Sequence, residues 1–417
     1  MPSPPPPSPA AAADRLISLD AYRGFVILVM IWVNFIQGMP NIPAWLRHAG
    51  AGDDTFTLPD LVFPGFLMMV GMAIPLAFAK RLDAPRLPAL RRIAWRTAVL
   101  LAAGVLYENA QRYDDGIAWL PKAWFYTLFY LSLILVWLQH DRKKPWMTGA
   151  GAGLLVVLMF LYRGKVGDGF TTVYLEHSWW GILGLIGWAY ALCSVLYLIT
   201  RGNDAALVGA FAFMLAMYLG GREGCFDVLP ESVGNFVNIG VVFGSTSAGA
   251  MLGVIAGRWF LDPTSGRASD TEIRAVHLRR LGRLGLFGVA LLLASHLLRP
   301  YHGGISKIEA TTSFVAVTGG INLLAFAVFY LLTDVMKRRA WAAFLLPAGV
   351  NALFAYILPD LWTSVLEAAG ADGLWWSLAW PSLEAGGRAG ILNAAAVALF
   401  MLGLTWAGTK AGLRLRS

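Results

Sequence analysis

Twelve apolar stretches of about 15–25 residues, each bounded by charged or turn residues, recur along this 417-residue chain. Wound as a helix, roughly 20 such residues match the hydrocarbon thickness of a bilayer. The stretches lie near 23–40, 60–79, 93–107, 123–139, 147–162, 180–199, 205–219, 236–260, 281–298, 312–333, 341–358 and 389–408. Hydrophobic residues make up 57% of the chain and charged ones only 14%, where a soluble domain carries about 25% charged. The expected fold class is therefore all-α: a polytopic integral membrane protein with 10–12 transmembrane helices. The fifth and seventh stretches are the weakest members and set the lower bound. Seventeen tryptophans suit belts at headgroup level, where an amphipathic ring has one apolar and one wet side.

The net charge of +8 resides in short loops between apolar stretches, so it points to membrane topology and not to nucleic acid. Basic clusters such as Arg91-Arg92, Arg279-Arg280 and Lys337-Arg338-Arg339 fall in alternate connections. By the excess of Lys and Arg in cytoplasmic loops, both termini are expected in the cytoplasm and the loop bearing His48 outside. Residues 1–14 are a Pro-rich segment, expected as an extended, disordered cytoplasmic tail without the features of a signal peptide. Residues 15–417 then form one transmembrane domain. The tryptophan-bearing stretch 359–388 reads as an interfacial loop over the outer face. Cys193 lies in an apolar stretch and Cys225 in a polar loop, which supports neither a disulfide framework nor a metal site.

Chemistry concentrates in the run from Arg15 to Phe78, RLISLDAYRGFVILVMIWVNFIQGMPNIPAWLRHAGAGDDTFTLPDLVFPGFLMMVGMAIPLAF. Ionisable residues at a membrane boundary are costly to desolvate, so a cluster of them at one hairpin marks a candidate site. His48 reads either as a solvated loop histidine beside Trp45 or as a general base or acyl acceptor. Asp60 reads as a carboxylate at a helix N-terminus or as the partner that orients the histidine. Asn34 either hydrogen-bonds a neighbouring helix or donates to a developing oxyanion. Ser18 or Asp20 would cap the first helix, and Arg23 would snorkel to the inner headgroups. Gly249, Gly253 and Gly257 form a small-residue ridge for close helix packing; Ser245, Thr246 and Ser247, one turn earlier, could line a polar path.

The pattern SLDxxRG, then VN, then P-x-W-L-x-HA, then DLVFPxFL resembles the membrane acetyltransferases related to heparan-α-glucosaminide N-acetyltransferase, including bacterial NagX-like proteins. The resemblance implies acetyl-CoA as co-substrate, no metal, and His48, Asp60 and Asn34 as catalytic residues. It further implies donor binding by Asp20, Arg23 and Lys307, the last in ISKIEATTSF, which resembles the N-K-x-x-W-T-x-SF stretch of the family, so that Lys307 or Thr312 could face the site. Glu108 and Asn351, the latter in PAGVNALFAY, are expected on the acceptor side. The chain departs from the family in two places. Its loop HAGAGDDTFTLPDLVFP is about two residues longer than HA-x-W-x-G and lacks the tryptophan, and AYILPDLW has no histidine where some relatives carry one. The reaction implied moves acetyl from cytoplasmic acetyl-CoA to an amino sugar or glycan on the periplasmic side of a bacterial inner membrane. Arg91-Arg92-Arg96 and Arg279-Arg280-Arg283 are available for the CoA phosphates, although the positive-inside rule alone accounts for both clusters. A transporter for N-acetylglucosamine or related sugars is the alternative. Expected partners are membrane lipids, a carbohydrate acceptor and, in a homodimer, a second copy of the chain; nucleic acid is not among them.

Overall fold

The computed structural model describes residues 16–415 apart from 51, 139–144, 167–169, 173, 174, 180, 262–268, 302 and 374–385; the proline-rich tail lies outside the described residues. The protein is a helical bundle. Its helices are α1 (Ile17–Ile36), α2 (Val62–Phe78), α3 (Arg86–Ala110), α4 (Lys122–Trp137), α5 (Pro145–Leu161), α6 (Ile182–Ile199) and α7 (Asp204–Arg222). There follow α8 (Glu231–Phe236), α9 (Ser247–Arg258), α10 (Asp270–Leu298), α11 (Thr312–Tyr330), α12 (Leu346–Val350), α13 (Ala352–Ala368) and α14 (Gly387–Lys410). A short antiparallel hairpin pairs Gly164–Val166 with Phe170–Thr172 between α5 and α6.

Each of the twelve apolar stretches overlaps a helix of the bundle. Among the described residues, eight helices are long and apolar enough to cross a membrane, and α4 and α5 are shorter apolar helices. Both stretches that looked weakest, near 147–162 and 205–219, are helical. Burial ranks the helices from centre to edge: 89% of the Gly240–Arg258 window is buried, against 17% for α7 and 22% for α10. The outer helices therefore keep apolar surface for lipid, as a bundle without a water-driven core permits.

Close packing at the centre follows from small residues. A Cβ on Gly71 of α2 would lie 1.9 Å from the Ala250 carbonyl oxygen, and one on Gly253 of α9 would lie 2.0 Å from that of Met68. Only hydrogen at these positions lets the two backbones meet, so the glycine ridge read from the sequence is the α2–α9 seam.

Loops alternate between the two ends of the bundle. At one end Asp54 meets Arg299, the Tyr218 hydroxyl donates to the Glu309 carbonyl, and Arg112 pairs with Glu176. At the other, Arg201 pairs with Asp83 and Arg280 donates to the Trp259 carbonyl. Connections that the span count assigns to one side do gather on one side.

Three local expectations are corrected. Neither Ser18 nor Asp20 caps α1: the Ser18 backbone N–H donates across the bundle to Asp334 Oδ2 at 2.8 Å, which satisfies one of the free N–H groups of the first turn. The stretch near 93–107 is part of a 25-residue helix that carries Arg86, Arg91, Arg92 and Arg96 on its own turns. The eleventh stretch, placed at 341–358, breaks at Asn351 and resumes as α13, which continues through Pro359 to Ala368. Proline removes a single backbone donor, and in membrane helices that loss is tolerated where neighbours compensate. Residues 359–368 are therefore helix and not interfacial loop.

Candidate active site

The hairpin between α1 and α2 is organised around one carboxylate. Asp60 sits in a 3₁₀ turn, Pro59–Leu61, and has no accessible surface. Its Oδ2 accepts the backbone N–H groups of Ala49 and Thr57 at 3.2 and 3.0 Å and the Thr57 hydroxyl at 2.9 Å. The Thr57 hydroxyl also approaches the Arg47 carbonyl at 2.6 Å, and Leu58 N–H donates to Trp45. These bonds hold the two sides of the loop together, and Asp60 Oδ1 remains for His48 Nδ1 at 2.6 Å. Asp60 makes no side-chain cap on α2, so its work lies in the loop and on the imidazole.

That contact assigns the tautomer. A carboxylate oxygen accepts, so the Nδ1–H donates and the neutral ring keeps its lone pair on Nε2. Lys307 Nζ also lies 2.9 Å from Nδ1, 3.5 Å from Nε2 and 3.4 Å from Asp60 Oδ1. Nδ1 cannot both donate to Asp60 and accept from an ammonium. The shorter, charge-assisted bond to the carboxylate is the one kept, and Lys307 then serves as counter-charge to Asp60. Burial pushes the Lys307 ammonium below the usual lysine range, with the neighbouring Asp60 carboxylate opposing part of that shift.

A cavity of about 240 Å³ opens beside His48, lined also by Asn34, Phe63, Lys307, Tyr107 and Asp360. It is smaller than the ~300–1,000 Å³ of sites for drug-sized ligands, and so suits one sugar unit or the end of a longer chain. A second cavity of about 520 Å³ shares Phe63, Ile182 and Lys307 with the first and is lined by Ser245 and Thr246. A third, of about 190 Å³, lies toward the opposite end between Arg23, Arg96 and Tyr190, and shares Tyr356 with the first.

The expected residues thus separate. His48, Asp60, Asn34 and Lys307 come together at one end of the bundle. Lys307, expected to face the site, meets the histidine there and lies apart from Asp20 and Arg23. Asp20 and Arg23 lie at the far end of α1, 3.7 Å apart, with Arg23 donating to the Gly349 carbonyl at 3.1 Å. Glu108 packs on Gly181, and it is the adjacent Tyr107 that lines the cavity. Asn351 lies away from it: its amide donates to Leu413 and accepts from Leu415 N–H, binding the C-terminal segment to the break before α13. Asp360 and its tyrosine partners escaped the sequence reading because Pro359-Asp360 looks like a helix end.

The lengthened loop has its own function in the geometry. Asp54 Oδ2 accepts Arg299 Nε at 2.7 Å, its Oδ1 accepts Ile305 N–H at 2.7 Å, and its carbonyl accepts Arg299 Nη2 at 3.0 Å. This ties the His48 loop to the segment bearing Lys307. The Ile305 N–H and then Arg299 hold the Asp54 carboxyl below its ordinary range. A depressed carboxylate contributes stability above its unfolded-state value and loses it as pH falls through the folded one. The tie is therefore complete at neutral pH and released only below the ordinary carboxylate range. Asp54→Asn should lower turnover about tenfold at pH 7 while leaving the helical fold intact by circular dichroism; wild-type turnover in that variant would show that the tie does not position Lys307.

A helical membrane protein with a His–Asp–Lys cluster beside a small, mostly apolar cavity is the class that fold and site define. Residues 15–165 match the family profile described as heparan-alpha-glucosaminide N-acetyltransferase, catalytic. It is 30% identical over 113 residues to human heparan-alpha-glucosaminide N-acetyltransferase, which covers 26% of this chain and 16% of the human protein. The mouse protein of the same name is 30% identical over 112 residues, with 26% and 16% covered. The matched region includes His48 and Asp60; Lys307 and Asp360 lie beyond it.

Proposed function

We propose that this protein is a transmembrane acetyltransferase that moves an acetyl group from acetyl-CoA on one face of the membrane to an amine of a sugar or glycan on the other. The observation that carries the reading is the 2.6 Å His48–Asp60 contact, which leaves Nε2 of a neutral imidazole at a cavity large enough for one sugar unit. As the acceptor nitrogen attacks the thioester carbonyl, Nε2 takes the proton that the nitrogen loses. The Asn34 amide lines the same cavity and would donate to the oxyanion. Attack by Nε2 itself, with an acetyl-histidine passing the group on, uses the same lone pair.

The cavity between Arg23 and Arg96 supports a two-sided route. Its cations suit the phosphates of CoA, which cannot enter lipid, and its apolar walls suit the thin pantetheine arm. Through Tyr356 it adjoins the His48 cavity. With the Arg23 end cytoplasmic, as the basic loops favour, the acceptor would enter from the periplasm of a bacterial inner membrane.

The test uses inside-out membrane vesicles and the purified protein, acetyl-CoA and glucosamine. Free CoA thiol should appear with N-acetylglucosamine as co-product, and right-side-out vesicles should not use external acetyl-CoA. Uptake of labelled N-acetylglucosamine by proteoliposomes, with no CoA release, would replace this reading by the transporter.

A further inference from the structure

We propose that Asp360 is the recognition site for the positively charged amine of the acceptor, a specificity residue facing His48 across their shared cavity. The inference rests on the acetyl-transfer reading and adds the acceptor's chemistry to it. Asp360 lies one turn past Tyr356 on α13, and its Oδ2 accepts the Tyr130 hydroxyl at 3.1 Å and the Tyr107 hydroxyl at 3.3 Å. Tyr130 is 1% exposed and comes from α4, while Tyr107 comes from α3. Two helices thus fix one oxygen of the carboxylate.

The other oxygen is left with acceptor capacity. Among the described residues no hydrogen bond reaches Oδ1, and no lysine, arginine or histidine forms an ion pair with Asp360. A carboxylate sheltered in a bundle without a cation is unfavourable unless something charged completes it. The site's own cation, Lys307, is already engaged with Asp60 and His48. A ligand ammonium would supply the missing charge and donate to Oδ1. A neutral hydroxyl in the same place would not.

The assignment also closes the proton account of amide formation. An alkylammonium and an acetyl thioester give an amide, a thiol and one free proton. The ammonium must first lose a proton to become a nucleophile, and it loses a second as its N–C bond forms and the C–S bond breaks. Asp360 is placed to take the first and pass it to solvent. His48 Nε2 takes the second and returns it to the departing thiolate.

Glucosamine, glucose and N-acetylglucosamine are the probes, with binding to the full-length purified protein read by thermal shift and calorimetry and transfer read by CoA release. Wild type should bind glucosamine at least tenfold more tightly than glucose. Asp360→Asn keeps an acceptor for the tyrosines but removes the charge; it should weaken glucosamine binding and raise its KM by about 10–100-fold and also lower kcat, because the ammonium loses its proton acceptor, with glucose binding unchanged. Asp360→Glu should retain the preference for the amine. Equal wild-type affinity for glucosamine and glucose overturns the proposal even if Asp360→Asn fails to fold, and so does a folded Asp360→Asn protein that binds glucosamine like wild type. The two readings separate in the data. Asp360-dependent glucosamine binding without CoA release keeps the amine site and removes acetyl transfer; CoA release indifferent to Asp360 does the reverse.

Discussion

His48→Ala is expected to abolish acetyl transfer from acetyl-CoA to an amino sugar while acetyl-CoA still binds. In the proposed mechanism Nε2 of His48 is the group that accepts the acceptor's proton, and removal of a positioned general base costs about 10²–10⁴-fold. If the acetyl group passes through the imidazole, the loss is larger still. Asp60 would not substitute, because its carboxylate is fully buried and its lone pairs are taken by Ala49, Thr57 and Lys307. Donor affinity should stay within a few-fold of wild type, since the cations suited to CoA phosphates, Arg23 and Arg96, line a different cavity at the other end of the bundle. Calorimetry with CoA and a thiol-release assay measure the two effects separately. Undiminished transfer by the alanine variant would sink the assignment of His48 and strengthen the transporter reading.

Asp60→Asn is expected to be nearly as severe, through the tautomer and not through lost shape. The carboxylate presents acceptors on both sides: Oδ1 to His48, Oδ2 to two backbone N–H groups and a hydroxyl. An amide has a single acceptor oxygen. Three donors outcompete one, so the oxygen turns toward Ala49 and Thr57 and the NH₂ group faces His48. Nδ1 must then accept, the ring proton moves to Nε2, and the lone pair that takes the substrate proton is gone. The same change beside a serine-protease histidine lowers kcat about 10⁴-fold. Here kcat should fall by ~10³–10⁴-fold while the purified variant elutes as wild type, and ¹⁵N spectra of labelled histidine should report the exchanged tautomer. Near-normal turnover with the wild-type tautomer would restrict Asp60 to holding the loop.

Much of this architecture was legible in the chain because the bilayer acts as a uniform solvent on every segment alike. Apolar length locates the helices, and alternation of loops assigns their ends. The α2–α9 seam was visible as Gly249, Gly253 and Gly257 because small residues every fourth position leave one face of a helix open. His48 and Asp60 could be paired in advance because they are only twelve residues apart, at the two ends of one short loop.

Contacts of long sequence separation were not legible. Lys307 reaches His48 across 259 positions, Tyr130 reaches Asp360 across 230, and Ser18 finds Asp334 across 316. Each depends on which helices become neighbours, and nearly identical apolar surfaces in lipid carry little information about that choice. Asn351 shows the converse: a polar residue in an apolar stretch looks like a ligand until the C-terminal strand of backbone at Leu413 and Leu415 is seen to need its amide. By itself the sequence determined the all-helical membrane architecture, the end at which polar chemistry gathers and the histidine–aspartate pair, all consequences of local composition. Tertiary structure alone decided how Lys307 contacts both members of that pair and which carboxylate shares their cavity, because those depend on helix neighbours that no local pattern encodes.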